Sequence, residues 1–221
     1  MANDRDLNRT RARITRAALA EFAAKGFAGA RTDAIARRAR VNEGMIFYCF
    51  KTKEGLYREV MRERMAEAVR MIESNPAYDF ASNLVQGYAN VCANHDGIRL
   101  WVWEALEPSR GRLVAERERR DLFRAQIGQL RRARVRDGLP REIDDQTMLV
   151  VSAALRLAPL VFPQLVRLVT GLGPEDPKFR RKWSKCLRWL GERIAQPSGV
   201  NGRAGLRNVP SPNHLAPIPA R

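Results

Sequence analysis

Basic and polar side chains are concentrated between Arg31 and Lys53, and their types and spacing suit contacts to a polyanion rather than bond-making chemistry. Two short helix-forming segments in this stretch are separated by the turn Arg40-Val41-Asn42. That arrangement is typical of a helix-turn-helix, whose second helix enters the major groove of DNA. Cations and helix N-termini at such a site bind phosphates together. The stretch therefore predicts a nucleic-acid interface.

Capping residues and a small apolar set predict how this stretch folds. Thr32 and Asn42 are each expected to cap a short helix, because their side-chain oxygens accept hydrogen bonds from exposed backbone N–H groups. The helices are predicted over about Asp33–Ala39 and Glu43–Cys49. The residues expected to set the angle between them are Ile35, Ala36, Val41, Ile46 and Phe50. An ordinary helical hairpin with a solvated basic rim fits the same spacing.

The charge of the whole chain points the same way. Its 221 residues contain 40 Lys and Arg against 24 Asp and Glu, a net charge of +16. A chain this basic usually has a polyanionic partner. Three cysteines without a CxxC motif and two histidines exclude a disulfide framework and a zinc site of ordinary spacing. We expect a cytoplasmic protein with no metal and no cofactor.

The common catalytic motifs are missing from the sequence. It contains no GxSxG, no GxxxxGK[ST], no HExxH and no Rossmann glycines ahead of a helix. Glu104 and Glu107 could share a helix face, but ion pairs explain them more simply. An enzyme is therefore not expected. The alternative that charge alone allows is a nonspecific basic architectural or RNA-binding helical protein.

Helix-forming residues dominate and alternating strand patterns are absent, which predicts an all-α chain of about nine helices. The first helix is expected over about Leu7–Lys25 and to end at Gly26. Asp144 or Asp145 is expected to cap an eighth helix that is apolar on nearly all sides. The last helix is predicted over about Pro177–Ala195.

The composition divides the chain into three parts. Residues 1–52 are predicted to form a three-helix DNA-binding domain, and residues 53–196 a helical bundle. Residues 197–221 are rich in Pro, Gly and Asn and are predicted to be a disordered basic tail. Thr147–Val166 is expected to be a buried helix rather than a membrane span, because Arg156 lies in its middle.

Residues 11–63 contain the run ITRAALAEFAAKGFAGARTDAIARRARVNEGMIFYCFKTKEGLYREV. In it, Ala-Ala-x-x-x-Phe is followed by Lys-Gly-Phe, Asn42-Glu43-Gly44 opens the third helix, and Phe50-Lys51-Thr52-Lys53-Glu54 leads into the fourth. This pattern resembles the DNA-binding domain of the TetR/AcrR family of bacterial transcriptional regulators. The resemblance implies a homodimeric, sequence-specific regulator, here a repressor of a palindromic double-stranded operator that a small-molecule effector releases.

The resemblance also implies roles for single residues. Thr32 and Lys53 match positions that contact phosphate, and Gly44 and Met45 match positions that face base edges. Phe47 departs from the usual Tyr and lacks its hydroxyl, which the neighbouring Tyr48 could supply instead. Cys49 departs from the usual His or Tyr, and is either a redox switch or a small residue filling space. The candidate DNA-binding residues are Arg31, Thr32, Asn42, Glu43, Gly44, Met45, Phe47, Tyr48, Cys49, Lys51 and Lys53.

The last helices supply material for a dimer interface. The eighth is apolar nearly all round and the ninth has a continuous apolar stripe, so one protomer has difficulty covering both. A purely intramolecular core is the alternative. The candidate interface residues are Leu155, Phe162, Trp183, Leu187, Leu190 and Ile194.

An effector pocket is expected among the fifth to eighth helices. Its candidate residues are Tyr88, Cys92, Trp101, Trp103, Phe123, Met148 and Arg156. Each aromatic among them could equally be a core residue, and Trp101 and Trp103 lie on different sides of their helix. Arg156 needs a partner if it is buried. That partner is either an acidic ligand or one of Glu104 and Glu107.

Overall fold

The computed structural model describes residues 2–74, 79–106 and 114–195, with side chains from Arg5 onward. The predicted tail at 197–221 and the candidate partner Glu107 lie outside the described residues. The described part is all-α, which confirms the predicted fold class. Its ten helices are α1 Ala2–Gly29, α2 Thr32–Ala39, α3 Glu43–Phe50, α4 Lys53–Glu73, α5 Phe80–Ala93, α6 His95–Leu106, α7 Glu116–Asp137, α8 Asp145–Val161, α9 Pro163–Thr170 and α10 Pro177–Ile194.

The tenth helix arises because the long apolar segment after Asp144 is broken. Phe162 leaves helical geometry and Pro163 begins α9, since proline cannot continue the hydrogen-bond ladder of α8. The two helices meet at a bend of 75°. Within the described ranges, no single helix has the length and hydropathy to cross a membrane, whereas α8 and α9 taken together as this bent pair do.

Gly26 interrupts the first helix. Its φ of 69° lies in the positive region that glycine adopts without strain. A short helical segment then continues as far as Gly29. The predicted end of the long helical arm at Gly26 is thus confirmed, and the short segment after it was not predicted. Ile14, Ala18 and Phe22, on the long arm of α1, are fully buried.

The described residues form two apolar cores. The first contains residues from both the N-terminal helices and the later helices. The first core joins α1–α4 to Leu100 of α6 and Leu122 of α7. The second joins α5, α7, α8 and α10. Because α6 and α7 reach into the first core, the predicted boundary near residue 52 separates the chain more sharply than the packing does, and that boundary stays a prediction.

Packing of α10 against α5 corrects part of the predicted dimer interface. Leu187 is 0% exposed in the second core, so its predicted contact with a second copy is wrong. The Trp183 indole N–H donates to the Leu155 carbonyl oxygen at 3.2 Å, and Ile194 packs against the same core. Helix periodicity does not reveal that the stripe of α10 packs on α5, because the two helices are about 100 residues apart in sequence. Gly191 allows the close approach, since a Cβ there would lie 2.5 Å from the Ala81 Cα.

Candidate nucleic-acid interface

The helix-turn-helix is held together by the apolar set that the sequence predicted. Ile35, Ala36, Ile46 and Phe50 are buried, and Val41 packs against them. Arg40 adopts the left-handed conformation in the turn, with φ 55° and ψ 50°. Its N–H donates to the Arg37 carbonyl at 3.2 Å, and that of Val41 to the Ala36 carbonyl at 3.1 Å. These bonds end α2 and start α3 at a fixed angle.

Side-chain caps define where the next two helices begin. The Asn42 side chain accepts a hydrogen bond from the Met45 N–H at 2.8 Å, as predicted for α3. Thr52 caps α4 in the same way, accepting from the Gly55 N–H at 2.9 Å. Each cap satisfies an N–H group that the helix itself leaves unpaired. The N-terminus of α3 is therefore held in place by its own sequence.

Thr32 differs from its prediction as a helix cap. Arg31 occupies the N-cap position of α2, and Thr32 is the first helical residue. The Thr32 hydroxyl donates instead to the Glu43 carboxylate at 2.5 Å, joining the starts of α2 and α3. The predicted cap was wrong because α2 begins one residue earlier than expected. The hydroxyl is within the interface region, and its predicted phosphate contact stays a prediction.

One side of α3 is left uncovered by the other described residues. Glu43, Gly44, Phe47, Tyr48 and Lys51 recur at the spacing of one helix face and are all exposed, opposite the buried Ile46 and Phe50. We call these five residues the reading face. Phe47 is 43% exposed and Tyr48 65% exposed. Two large aromatic side chains at the surface indicate a contact surface rather than a core.

Two of the candidate DNA-binding residues lie to the side of the reading face. Met45 and Cys49 are partly buried and pack against the first core. For Cys49 this contact fits the space-filling interpretation. A Cβ added at Gly44 would meet only the Asn42 side-chain oxygen, at an ordinary 3.5 Å. Packing does not require a glycine at this position. The glycine leaves the first turn of α3 without a side chain at residue 44.

Cations surround the reading face. Arg31 donates to the Asp33 carboxylate at 3.0 Å, and Arg37 donates to it at 2.9 Å. These two guanidinium groups lower the pKa of Asp33 to about 2, so the carboxylate stays charged and holds both arginines in place. The Lys51 ammonium donates to the Tyr48 carbonyl at 3.2 Å and lies 5.8 Å from the Tyr48 ring centroid.

The Lys53 and Arg11 side chains link this unit to α1. The Lys53 ammonium lies 3.4 Å from the Ala28 carbonyl oxygen and 4.8 Å from the Phe27 ring centroid. Sequence analysis missed Arg11, which donates to the Cys49 carbonyl at 2.6 Å and stacks on Phe50. A cation at the C-terminus of α3 offsets the helix dipole there. Only its position one turn before Ile14 hinted at this contact.

A cavity of about 330 Å³ lies between α4, α5, α6, α7 and α8. Trp101, Phe123 and Arg156 line it, as predicted. The other four candidates do not. Tyr88 and Met148 are buried in the second core and Cys92 packs against it, while the Trp103 indole N–H donates to the Ala23 carbonyl of α1 at 3.2 Å. These four were predicted from helix faces alone, which do not reveal the neighbouring helix.

The predicted pairing of Arg156 with Glu104 is also wrong. Arg119 donates to both carboxylate oxygens of Glu104 at 2.8 Å, and the Tyr57 hydroxyl donates to one of them at 3.0 Å. Arg156 instead donates from Nε to the Ser152 carbonyl at 2.9 Å. Burial lowers the pKa of Arg156 to about 10, so it remains protonated at neutral pH.

A second uncovered surface lies on α8 and α9 and is apolar. No residue of α9 is buried. Of the predicted dimer-interface residues, Phe162 lies on this surface, whereas Leu190 is partly buried on α10. We call the exposed set the α8–α9 apolar surface; it consists of Val150, Val151, Phe162, Leu165, Leu168 and Val169.

Comparisons with known proteins agree with this geometry. The model of the family described as bacterial regulatory proteins, tetR family, matches residues 14–60. The HTH-type transcriptional repressor SCO4008 of Streptomyces coelicolor is 31% identical over 170 residues, which cover 76% of this chain and 88% of that protein. The solved structure of SCO4942 from Streptomyces coelicolor superposes with a TM-score of 0.64 at 26% identity, covering 82% of this chain and 97% of that one. GusR of Salmonella enterica superposes with a TM-score of 0.62 at 18% identity, covering 84% and 95%.

Proposed function

This chain belongs to the TetR family of bacterial transcriptional regulators, and we propose that it is a cytoplasmic homodimeric repressor that binds a palindromic operator and leaves it when a small effector fills the cavity. The observation that carries the proposal is the reading face of α3, which two capped helix ends and a buried core hold rigid. The repressor named among its relatives supports the sign of regulation.

Contacts to DNA follow from the residues of the reading face. Gly44 leaves room for the start of α3 to approach base edges closely, and the Phe47 ring offers an apolar contact of the kind that thymine methyl groups accept. The Tyr48 hydroxyl replaces, one position on, the phenol that Phe47 lacks. Lys51 on this face and Arg31 beside it are exposed, where they would neutralise phosphates and fix the register of α3 on the duplex.

The α8–α9 apolar surface supports dimerisation. Leu168 is 86% exposed and Val169 74% exposed, so burying them against a second copy removes a large apolar area from water. A two-fold interface repeats the same patch on both protomers. It also presents two reading faces to successive major grooves, which matches the symmetry of a palindromic operator.

Two helices give the cavity a physical connection to the DNA-binding unit. Met61 and Met65 of α4 line the cavity, and the same helix begins at the Thr52 cap directly after α3. On α6, Trp101 lines the cavity, while Arg99 donates to the Ala23 carbonyl of α1 at 2.9 Å. A ligand that changes the spacing of α4 and α6 would therefore shift α1 and α3, and it acts through its different affinity for the two arrangements.

The test is a selection of bound fragments from random DNA by the full chain, combined with a measurement of its mass in solution. We expect a two-fold symmetric site, a particle of twice 25.1 kDa, and a preference for that site of about 10³-fold or more over scrambled duplex. A monomer that binds scrambled and symmetric duplexes alike would contradict the proposal and favour a nonspecific architectural protein.

Substitution of the reading face sharpens this test. Tyr48→Ala is expected to weaken binding to the selected site by about tenfold or more, since it removes an exposed aromatic from the contact surface. Thermal stability should not change, because Tyr48 contributes nothing to the first core. Val135→Ala, at an exposed apolar residue of α7, is the matched control and should leave binding unaltered.

A further inference from the structure

We propose that the cavity binds an organic carboxylate, with the Arg156 guanidinium and the Ser152 hydroxyl as its anion-binding groups. This inference rests on the effector control proposed above and specifies the chemical class of the effector. It is supported by four features of the cavity: the contacts of Arg156, the state of Ser152, the space left by Gly87 and the balance of charge on the walls.

Arg156 is part of the cavity wall, and most of its guanidinium N–H groups form no hydrogen bond with the described residues. Nε donates to the Ser152 carbonyl at 2.9 Å, and the described residues receive no other hydrogen bond from this side chain. No carboxylate in the described ranges forms an ion pair with it. A guanidinium presents a planar fork of donors that matches the two oxygens of a carboxylate. The unused donors of Arg156 are of the kind that such a ligand group would satisfy.

Ser152 supplies a second unsatisfied group on the same wall. Its side chain is 5% exposed and Oγ lacks a hydrogen-bond partner in the part of the chain that the structure describes. A buried polar group left in this state has lost its hydration without a compensating hydrogen bond. Because Ser152 and Arg156 are four residues apart on α8, they lie on the same helix face. The orphaned Ser152 hydroxyl and the free guanidinium donors of Arg156 on one face favour a ligand group that accepts hydrogen bonds from both.

The neighbouring helix is shaped to receive the arginine. A Cβ at Gly87 of α5 would lie 2.5 Å from the Arg156 Cδ and 2.6 Å from its Nη1. Any other residue type at this position would push the guanidinium aside. The Arg156 side chain therefore lies directly against the α5 backbone. Contacts with α5 and α8 restrict its rotamers and so set its position in the cavity.

The remaining walls favour an amphipathic anion over a cation. Arg64, Arg132 and Arg136 also line the cavity, and Glu67, the one carboxylate among its described lining residues, is ion-paired with Arg64. Most other lining side chains are apolar, among them Met65, Ile98, Trp101, Leu130 and Leu157. A volume of about 330 Å³ is at the lower end of the range for small-molecule sites. The ligand expected is a single carboxylate attached to a compact apolar body.

Calorimetry with matched probes tests the inference on the full chain without DNA. Each set has one skeleton and three head groups: 4-phenylbutyrate, 4-phenylbutanol and 4-phenylbutylamine, and likewise decanoate, decanol and decylamine. We expect the carboxylate of at least one set to bind about tenfold more tightly than its alcohol, and the amine to bind most weakly. Equal binding of the three head groups, tighter binding of an amine, or no carboxylate binding would overturn the inference.

Substitutions then assign the preference to particular atoms. Arg156→Met should reduce carboxylate affinity to that of the alcohol while alcohol binding persists, which shows that the cavity is still formed. Ser152→Ala should reduce the preference by a smaller factor. Arg117→Met removes one exposed charge outside the cavity and should change nothing. If Arg156→Met retains the full preference for carboxylate, Arg156 is not the anion-binding group and the inference fails.

Operator binding separates this inference from the proposed function. A protein that selects a two-fold DNA site but binds no carboxylate would leave the repressor proposal intact and overturn the ligand class. A protein that binds carboxylates through Arg156 without any change in its affinity for the operator would support the ligand class and contradict effector release.

Discussion

Arg119 and Arg156 both lie among the C-terminal helices, but they differ in their hydrogen-bond partners. Around Arg119, at the start of α7, the two Glu104 oxygens accept at 2.8 Å and the Val114 carbonyl accepts from Nε at 2.8 Å. The Tyr57 hydroxyl completes this cluster, which joins α4, α6 and α7. Around Arg156, in the middle of α8, the hydrogen bonds to described residues reduce to one backbone carbonyl.

The contrast indicates two uses for a cation that the fold withdraws from water, fully at Arg119 and partly at Arg156. Taking a charge out of water is costly, and a paired carboxylate with good geometry offsets that cost within the protein. The Arg119 region meets this condition and therefore serves to hold three helices together. Among the described residues, the Arg156 region does not meet it and borders a cavity, which is the arrangement expected when the compensating charge arrives with a ligand.

The largest effect on stability is expected from substitution of Arg119, which is paired with Glu104. Arg119→Met should lower the free energy of unfolding by about 3 kcal/mol, because it leaves the Glu104 carboxylate partly buried without its cation. Urea denaturation of the ligand-free protein measures this change. Arg120→Met, which breaks the exposed pair with Glu116, is the matched control and should cost less than about 1 kcal/mol. Equal costs at the two sites would remove the basis for the comparison.

Substitution of Arg156 is expected to change the free energy of unfolding in the opposite direction. Arg156→Met should raise the free energy of unfolding of the ligand-free protein by about 1 kcal/mol, since an apolar side chain of similar length replaces an uncompensated charge. The same urea titration measures it. A destabilisation as large as that of Arg119→Met would mean that Arg156 has a compensating partner in the folded protein.

Gly87→Ala is expected to have a smaller effect on stability than either arginine substitution. The added Cβ displaces the flexible end of Arg156 rather than backbone, so the free energy of unfolding should change by less than about 1 kcal/mol. Calorimetry should nevertheless record weaker carboxylate binding. The same change at Gly191 provides a contrast, because its Cβ would meet the Ala81 backbone, which cannot rotate away, and the cost should be larger.

Arg132→Met should have the smallest effect of the series. Arg132 lines the cavity but is exposed, so its charge is already hydrated. Stability should stay within about 0.5 kcal/mol of the parent, as for ordinary surface substitutions. Carboxylate affinity should fall by no more than about threefold, because exposed charges interact weakly through water. A loss as great as that of Arg156→Met would move the anion-binding group to the rim.

The reading face could be predicted well because its determinants are close together in the chain. The Asn42 and Thr52 caps act within three residues, and Ile35, Ile46 and Phe50 form a core between adjacent helices. The predictions that failed here involve a shift of one residue, as at Thr32. The family pattern added the identity of the interface, which spacing alone left open between DNA binding and a simple hairpin.

The cavity was predicted less well because its residues are defined by helices far apart in sequence. Trp101 and Phe123 do line it, but Trp103 donates to Ala23, eighty residues earlier. Glu104 is taken by Arg119 and so is not available to Arg156. Helix periodicity identifies which residues share a face, but it does not indicate which other helix that face meets.

The sequence by itself determined the helical class, the Asn42 cap and the composition of the helix-turn-helix, because hydrogen bonds between near neighbours and the apolar period of a helix need no distant partner. Only the tertiary structure decided that α5 and the second core cover Leu187, that Phe162–Pro163 turns α9 away from α8, and that Arg156 meets Gly87 and no carboxylate of the described residues. Those outcomes depend on which helices become neighbours, and the packing of the whole chain sets that choice.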